Sequence, residues 1–387
     1  MIDQASLQLA LGQEDHDLNV GAFVQLLNEK TNSYKYLFLL SLLNRVGQTP
    51  PNHPVSIPLI DMALDMATLA WYPCRYFKLS FGSQDQLPQL LFNVGDSVST
   101  RKHGAEVLKH IRREIHKHTD INDLATTLLR YVPFRLMRPF FNSELRGKSD
   151  GQVNRLVTAL TRDVEHTTNP ALYSLHGESN RPVDLTLHLN PRWQALIVRW
   201  HAVIQSWVLH EWAKYLQARN PTMPNILGKL LPPDQREQTQ FKKRREFWIS
   251  LLEHQQVTCA YTSEKINLKN FELDHFLPWS FVGHDLPWNL IPSTPSANSS
   301  KGARLPDEQY IDALASRQHL ALSYAHKHLT EKKWSELTES YCHDLRLEQG
   351  SLLNPSLLNT AYQQTMRPQL SLGKQLGFEG GWTSLMH

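Results

Sequence analysis

The sequence predicts a mainly α-helical protein with a small α+β module embedded in its second half. Apolar residues recur at helical spacing along most of the chain, as at Leu108, Ile111 and Ile115. Turn-rich proline segments, GQTPPNHPVS and NPTMPNILGKLLPPDQREQ, punctuate the helices. One stretch, FELDHFLPWSFVGHDLPWNLIPSTPSANSSKGARLP at 271–306, departs from this habit with two short strand-like runs, FELDHF and WNLIP.

The bulk composition narrows the functional classes. The chain has 387 residues, 41% apolar and 20% charged, which is ordinary for a soluble globular protein. Its net charge of +3 means that any nucleic-acid footprint must be a local basic surface. Cys74, Cys259 and Cys342 are far apart, which argues against a disulfide framework and fits a reducing cytoplasm. The start, MIDQASLQLALGQEDHDL, lacks a basic region followed by an apolar run, so no leader is expected. The longest apolar patch, YLFLLSLL, is far shorter than the ~20 residues a bilayer needs, so no membrane insertion is expected.

Residues 1–100 read as helices broken by proline turns. KYLFLLSLLNRV is apolar all round and predicts a buried helix; IPLIDMALDMATLAWYPCRYF predicts another, stopped near Tyr72 and Pro73. In TRKHGAEVLKHIRREIHKHTD, Leu108, Ile111 and Ile115 mark a buried stripe, while Lys102, Lys109, Arg112, Arg113 and Lys117 lie elsewhere around the helix. Such a face suits either solvent or a phosphate backbone. RYVPFRLMRPFF sets arginines among aromatics, a pattern for single-strand binding or for a packed corner with arginine–carboxylate pairs.

Residues 142–190 read as loop-rich, with weak helical or strand pieces. PRWQALIVRWHAVIQSWVLHEWAKYLQARN predicts one long helix of roughly 28 residues. Trp193, Trp200 and Trp207 recur every seven residues, with Ala195, Leu196, Val203 and Ile204 on the same side, facing the core. FKKRREFWISLLEHQ restarts a helix with Lys242, Lys243, Arg244 and Arg245, candidate nucleic-acid contacts like Lys102, Lys109, Arg113 and Lys117. The chain divides into a helical region at 1–235, with a break near 140–190, a module at 236–306, and a helical region at 307–387 packing on the module. The tail GFEGGWTSLMH reads as poorly ordered or docked only by its tryptophan.

The chemistry gathers in the strand-like stretch. FELDHF predicts a strand ending at Asp274 and His275; a turn-rich loop and a second strand, WNLIP, follow. Thr294 as cap and Pro295 at the first position start a short helix on which Asn298 and Lys301 share a face. Phosphodiester hydrolysis needs a nucleophilic water, a base to activate it, and positive charge where oxygen charge develops. A hard divalent ion supplies that charge and takes oxygen ligands such as a carboxylate and an amide carbonyl. Neighbours on a regular strand point to opposite faces, so Asp274 and His275 need a local twist to converge.

The Asp-His pair at 274–275, Asn289 at the middle position, and Asn298 followed by Lys301 resemble the HNH, or ββα-metal, nuclease family. The resemblance implies that Asp274 and Asn298 hold Mg²⁺ or Mn²⁺, that His275 is the general base, and that Asn289 is structural. It places Lys301 and Arg304 near the phosphate. The pair His284 and Asp285 is read as an auxiliary of the site or, preferably, as a loop stabiliser. The pattern DHFLPWSF…HDLPWNLIP…NSSK also resembles HNH proteins of bacterial anti-phage loci, among them the nuclease subunit of type II Zorya systems. It thereby implies a DNA substrate and defence-system partners. Many HNH proteins hold a zinc with two CxxC pairs; here Thr262 stands where the cysteine after Cys259 would be. No structural zinc is expected, and packing through Tyr261, Trp279 and Trp288 must hold the module. The expected activity is metal-dependent DNA nicking. The rivals are a catalytically inactive HNH module that binds nucleic acid, and an RNA-cutting, toxin-type nuclease.

Overall fold

The computed structural model of the chain describes residues 4–384 apart from 13–16, 29–30, 51–52, 95–104, 165–166, 168, 180 and 233–237. Lys102 lies outside the described residues. Among the described residues the fold is mainly α-helical with two small antiparallel sheets. The chain forms two compact units, Met1–Thr222 with Ile226–Asp234, and Met223–Asn225 with Gln235–His387.

The first unit is built around two largely buried helices. In Tyr34–Gln48 every residue from Tyr36 to Leu43 is buried, as a helix without a polar face requires. Leu59–Trp71 is buried along most of its length and passes at Tyr72 into a wide turn containing Pro73. The basic helix Ala105–His118 buries Val107, Ile111 and Ile115, so its inward stripe runs at strict i, i+4 spacing; Leu108 is only half-buried. Arg112 belongs to that packing: it reaches Asp61 at 2.7 Å and also pairs with Asp65, which Arg45 meets at 2.6 Å. Lys117 pairs with Glu114 at 2.7 Å; Lys109 and Arg113 are exposed.

The arginine-aromatic stretch is a packed corner. Arg135 and Arg138 reach Asp150 at 2.5 and 3.7 Å, Arg135 lies 4.0 Å over the Tyr131 ring, and Phe140 meets Trp193 edge-on. The described residues of 142–190 carry the helical and strand pieces expected among the loops. A reciprocal capping box, Ser149 with Gln152, starts the helix Asp150–Asp163. Strands β1 (Ser56–Pro58), β2 (Tyr173–His176) and β3 (Thr186–Leu189) then form an antiparallel sheet in the order β1-β3-β2, with Ser56 opposite His188 and Tyr173 opposite Leu189. The long tryptophan helix is in fact two, Pro191–Arg199 and His201–Gln217. Trp200, at φ −107° and ψ 20°, leaves the helical region and resets the phase. Trp193 and Trp207 are buried as expected, but Trp200 and Val203 are half-buried and Ala195 is exposed.

The second unit opens with the helix Gln238–His254 and closes with three more, Ile311–His328, Glu331–Leu345 and Pro355–Gln375. Between them lies a β-hairpin of β4 (Glu272–His275) and β5 (Leu290–Ser293), followed by the helix Pro295–Lys301. The tail docks through Trp382, which packs edge-on against Tyr261 at 5.1 Å and donates its backbone N–H to the Leu305 carbonyl. Among the described residues no helix is long and apolar enough to cross a membrane.

Candidate active site in the hairpin-helix module

The frame of the site follows from local sequence. β4 and β5 pair with Asp274 opposite Ile291 and His275 opposite Leu290. The connecting loop needs a left-handed residue to leave its first turn, and Gly283 supplies it at φ 71°. The Thr294 side chain accepts from the Ala297 N–H and Pro295 occupies the first turn, so the short helix starts where its sequence predicts.

Asn289 is fully buried and acts as a clamp. Its Nδ2 donates to the Leu277 carbonyl at 2.9 Å, and its Oδ1 accepts from the Leu277 N–H at 2.8 Å. The Phe276 N–H donates to the Asn289 carbonyl at 2.8 Å. The chain just after His275 is thereby fixed by an amide that imitates a strand partner.

Asp274 and His275 keep the alternation of a strand and take different partners. Asp274 is 5% exposed, and its carboxylate accepts from the Tyr261 hydroxyl at 2.6 Å and from Lys301 Nζ at 3.1 Å. Burial, then the charge of Asp274, pushes the Tyr261 phenol well above its ordinary range, so it remains a donor. Lys301 is expected near the phosphate, but its side chain is fully buried. Its Nζ also donates to the His275 carbonyl at 2.6 Å, so it cross-braces the strand end from within. Arg304 turns back to the carbonyls of Lys301 and Ser300 and lies 3.8 Å from Glu379, which places it at the end of the helix.

The His275 imidazole meets Asp285, Nε2 to Oδ1, at 2.6 Å, and stacks on Phe241 with centroids 5.8 Å apart. The loop-stabilising role preferred for the second His-Asp pair therefore divides. Asp285 engages the candidate base itself. His284 packs edge-on against Trp288 at 5.2 Å and accepts from the Leu286 N–H. Burial, reinforced by the neighbouring His275, holds the His284 imidazole down at about 4.

Asn298 is half-buried, and its Nδ2 donates to the carboxylate of Glu272. Glu272 precedes Asp274 by two residues and so shares its strand face, a periodicity that could have singled it out. Phe241 carried no such signal, because a contact between distant helix and strand residues has no local pattern. Of the basic run beside it, Lys242 and Lys243 are exposed. Arg244 is half-buried, with its pKa lowered by burial. Arg245 donates to the Phe271 carbonyl and lies 4.6 Å over its ring.

Packing from the surrounding helices holds the module. Trp288 Nε1 donates to Asp344 at 2.6 Å, and the Tyr362 hydroxyl donates to the Trp288 carbonyl. Gln318 donates to the carbonyls of Pro287 and Leu290 and accepts from the Tyr341 hydroxyl. At the turn that carries Cys259, Arg317 holds the carbonyl and hydroxyl of Thr258. Trp279, in contrast, is only half-buried.

Among the described residues no three histidine, cysteine or acidic groups cluster as a preformed metal cage. The donors that the site offers are oxygens: the carboxylates of Asp274 and Glu272, and Oδ1 of Asn298, whose Nδ2 is turned to Glu272. This set fits a hard divalent ion that keeps waters and meets a substrate phosphate. A strand pair and helix carrying such donors beside a carboxylate-held histidine is an arrangement that can serve phosphodiester hydrolysis.

Comparison with known proteins gives a family match for the module. The family model of HNH endonucleases matches residues 259–307, about an eighth of the chain. The match places the module at 259–307, and not the whole chain, with the HNH endonucleases. No curated protein and no solved structure matches it.

Proposed function

We propose that this protein is a metal-dependent endonuclease that hydrolyses DNA phosphodiester bonds, cutting one strand per visit. The observation that supports it most is the His275–Asp285 pair beside Asp274 at the end of β4. The Asp285 carboxylate favours the tautomer with the proton on Nε2 and so directs the basic lone pair to Nδ1. His275 takes a proton from water there, and Asp285 stabilises the imidazolium that forms. Asp274 and Asn298 would hold Mg²⁺ or Mn²⁺, which when bound offsets charge on the phosphorane and leaving oxygens. Lys301 balances the buried charge of Asp274 from below, and Asn289 keeps the strand end in place. The exposed Lys242 and Lys243, on the helix that brings Phe241 to His275, support a nucleic-acid substrate. A defence role, with other defence proteins as partners, is supported by the motif resemblance.

The test is conversion of supercoiled plasmid with Mg²⁺. The expected result is nicked circles, abolished by chelator and by His275→Ala, with DNA binding retained in the variant. Binding without cleavage under any divalent ion would favour the inactive module. Preferential cleavage of labelled RNA over DNA in direct competition would favour the RNA-cutting reading.

A further inference from the structure

Glu272 opens β4 and lies opposite Ser293, the last residue of β5. Ser293 Oγ donates to the Glu272 carbonyl at 3.4 Å, which ties the two strand ends together. The chain then turns at Thr294 into the helix Pro295–Lys301, so the start of β4 lies beside the first turn of that helix. Asn298 sits one turn in, where its N–H donates to the Thr294 carbonyl at 3.0 Å. This register brings the Glu272 carboxylate to the Asn298 side chain, and Nδ2 of the amide donates to it. Glu272 is exposed and Asn298 half-buried.

A side-chain amide has two ends of similar size and opposite chemistry. A hard cation takes the oxygen and rejects the NH₂ group. A carboxylate does the reverse: it accepts only, so the end of Asn298 that it meets must be Nδ2. The contact therefore turns Oδ1 away from Glu272 and settles which end of the amide is offered to a cation. It also polarises the amide, which raises the electron density on Oδ1. Asp274 is held by Tyr261 and Lys301, and His275 by Asp285. Resting on the nuclease reading above, we infer that Glu272 is the positioning residue for Asn298: it acts through that amide, so that Oδ1 and not Nδ2 faces the divalent ion.

Mn²⁺ alone is the probe, titrated into the full-length protein without nucleic acid and followed by calorimetry and by the electron paramagnetic resonance of the free ion. The unmodified protein should bind it, and Asn298→Ala should weaken that binding. Glu272→Gln keeps the shape but brings an NH₂ group that can donate to Oδ1 of Asn298 and hold the amide the wrong way round. It should weaken Mn²⁺ binding roughly 10–100-fold. Glu272 is exposed, so the fold is expected to persist, as circular dichroism in chelator checks; should that variant unfold, Glu272→Ala gives the same comparison. The substitution is then repeated in the Asn298→Asp background. A carboxylate at 298 presents oxygen at both ends, needs no orienting partner, and meets Glu272 with like charge. There Glu272→Gln should leave Mn²⁺ affinity unchanged or improve it. Equal losses in both backgrounds would make Glu272 a ligand in its own right and overturn the inference. An unaltered affinity in the Asn298 background, with Asn298→Ala still weakening binding, would overturn it while the nuclease reading stands. Absence of Mn²⁺ binding by the unmodified protein would remove the metal-dependent reading and this inference together.

Discussion

His275 and Asp285, ten residues apart, meet at 2.6 Å between Nε2 and Oδ1, and both side chains are nearly buried, at 10% and 12% exposure. The contact closes the hairpin loop onto the candidate base, and on the proposed mechanism it would set which imidazole nitrogen is basic. Asp285→Asn presents an amide whose N–H can donate to Nε2 and so favours the wrong tautomer. The expected effect is a loss of roughly 10²–10⁴-fold in kcat for plasmid nicking, with KM and DNA affinity nearly unchanged. Single-turnover nicking beside a gel-shift titration checks it. A change confined to affinity would assign Asp285 to substrate binding.

Lys301 gives a second, separable prediction. Its ammonium is buried against Asp274 and the His275 carbonyl. Lys301→Met removes the cation and leaves the Asp274 carboxylate buried with only the Tyr261 hydroxyl of its two described donors. A loss of about 3–5 kcal/mol in the stability of the second unit is expected, seen as a lower urea midpoint. If Lys301 instead meets the phosphate, the variant keeps its midpoint and loses affinity for DNA.

These two residues show what the sequence makes legible and what it does not. Asp274, His275, Asn289 and Asn298 stand out because their types and order on a short strand-loop-strand-helix frame resemble the HNH pattern. Thr294 and Pro295 mark the start of the helix by local hydrogen bonding, and the all-round apolar pattern of residues 36–43 predicts a buried helix. The embedded α+β module in a helical chain follows from such local signals. Lys301 is different: helical spacing places it on the face of Asn298, but spacing alone does not say whether that face looks into solvent or onto the Asp274 carboxylate. Arg245 reads as a nucleic-acid contact and Arg112 as part of a face for solvent or phosphate, yet they find the Phe271 carbonyl and Asp61 through tertiary packing. The break at Trp200 has no proline or glycine to announce it.

His284 predicts a pH dependence. Its pKa in the fold, about 4, lies below the ordinary 6.5, so the folded chain favours the neutral ring. As pH falls from 6.5 towards 4, the unfolded chain takes up a proton that the folded chain refuses. Stability is therefore complete above pH 6.5 and declines through this window, by at most on the order of 3 kcal/mol. Thermal melts between pH 7.5 and 4.5 compare the protein with His284→Asn. The variant should lose less stability on acidification, and parallel curves would remove His284 as the cause.

The contact between Phe241 and His275 predicts how the site is restrained. With the Phe241 ring stacked on the imidazole and only 10% of the His275 side chain exposed, water and phosphate have little access to the base. Phe241 directly precedes Lys242 and Lys243, whose side chains are exposed, so a nucleic acid drawn to these lysines would act on the same helix turn. Slow basal nicking is expected at low protein concentration. Phe241→Ala removes a ring contact worth ~0.5–1.5 kcal/mol and should raise the basal rate roughly two- to tenfold at equal DNA affinity. Lys242→Ala with Lys243→Ala should instead weaken binding and reduce the salt slope by up to about 2. Fast nicking by the unmodified protein with Mg²⁺ alone would exclude restraint. A fall in kcat for Phe241→Ala would make the ring a positioning group for His275, in which case Phe241→Leu should recover part of the rate.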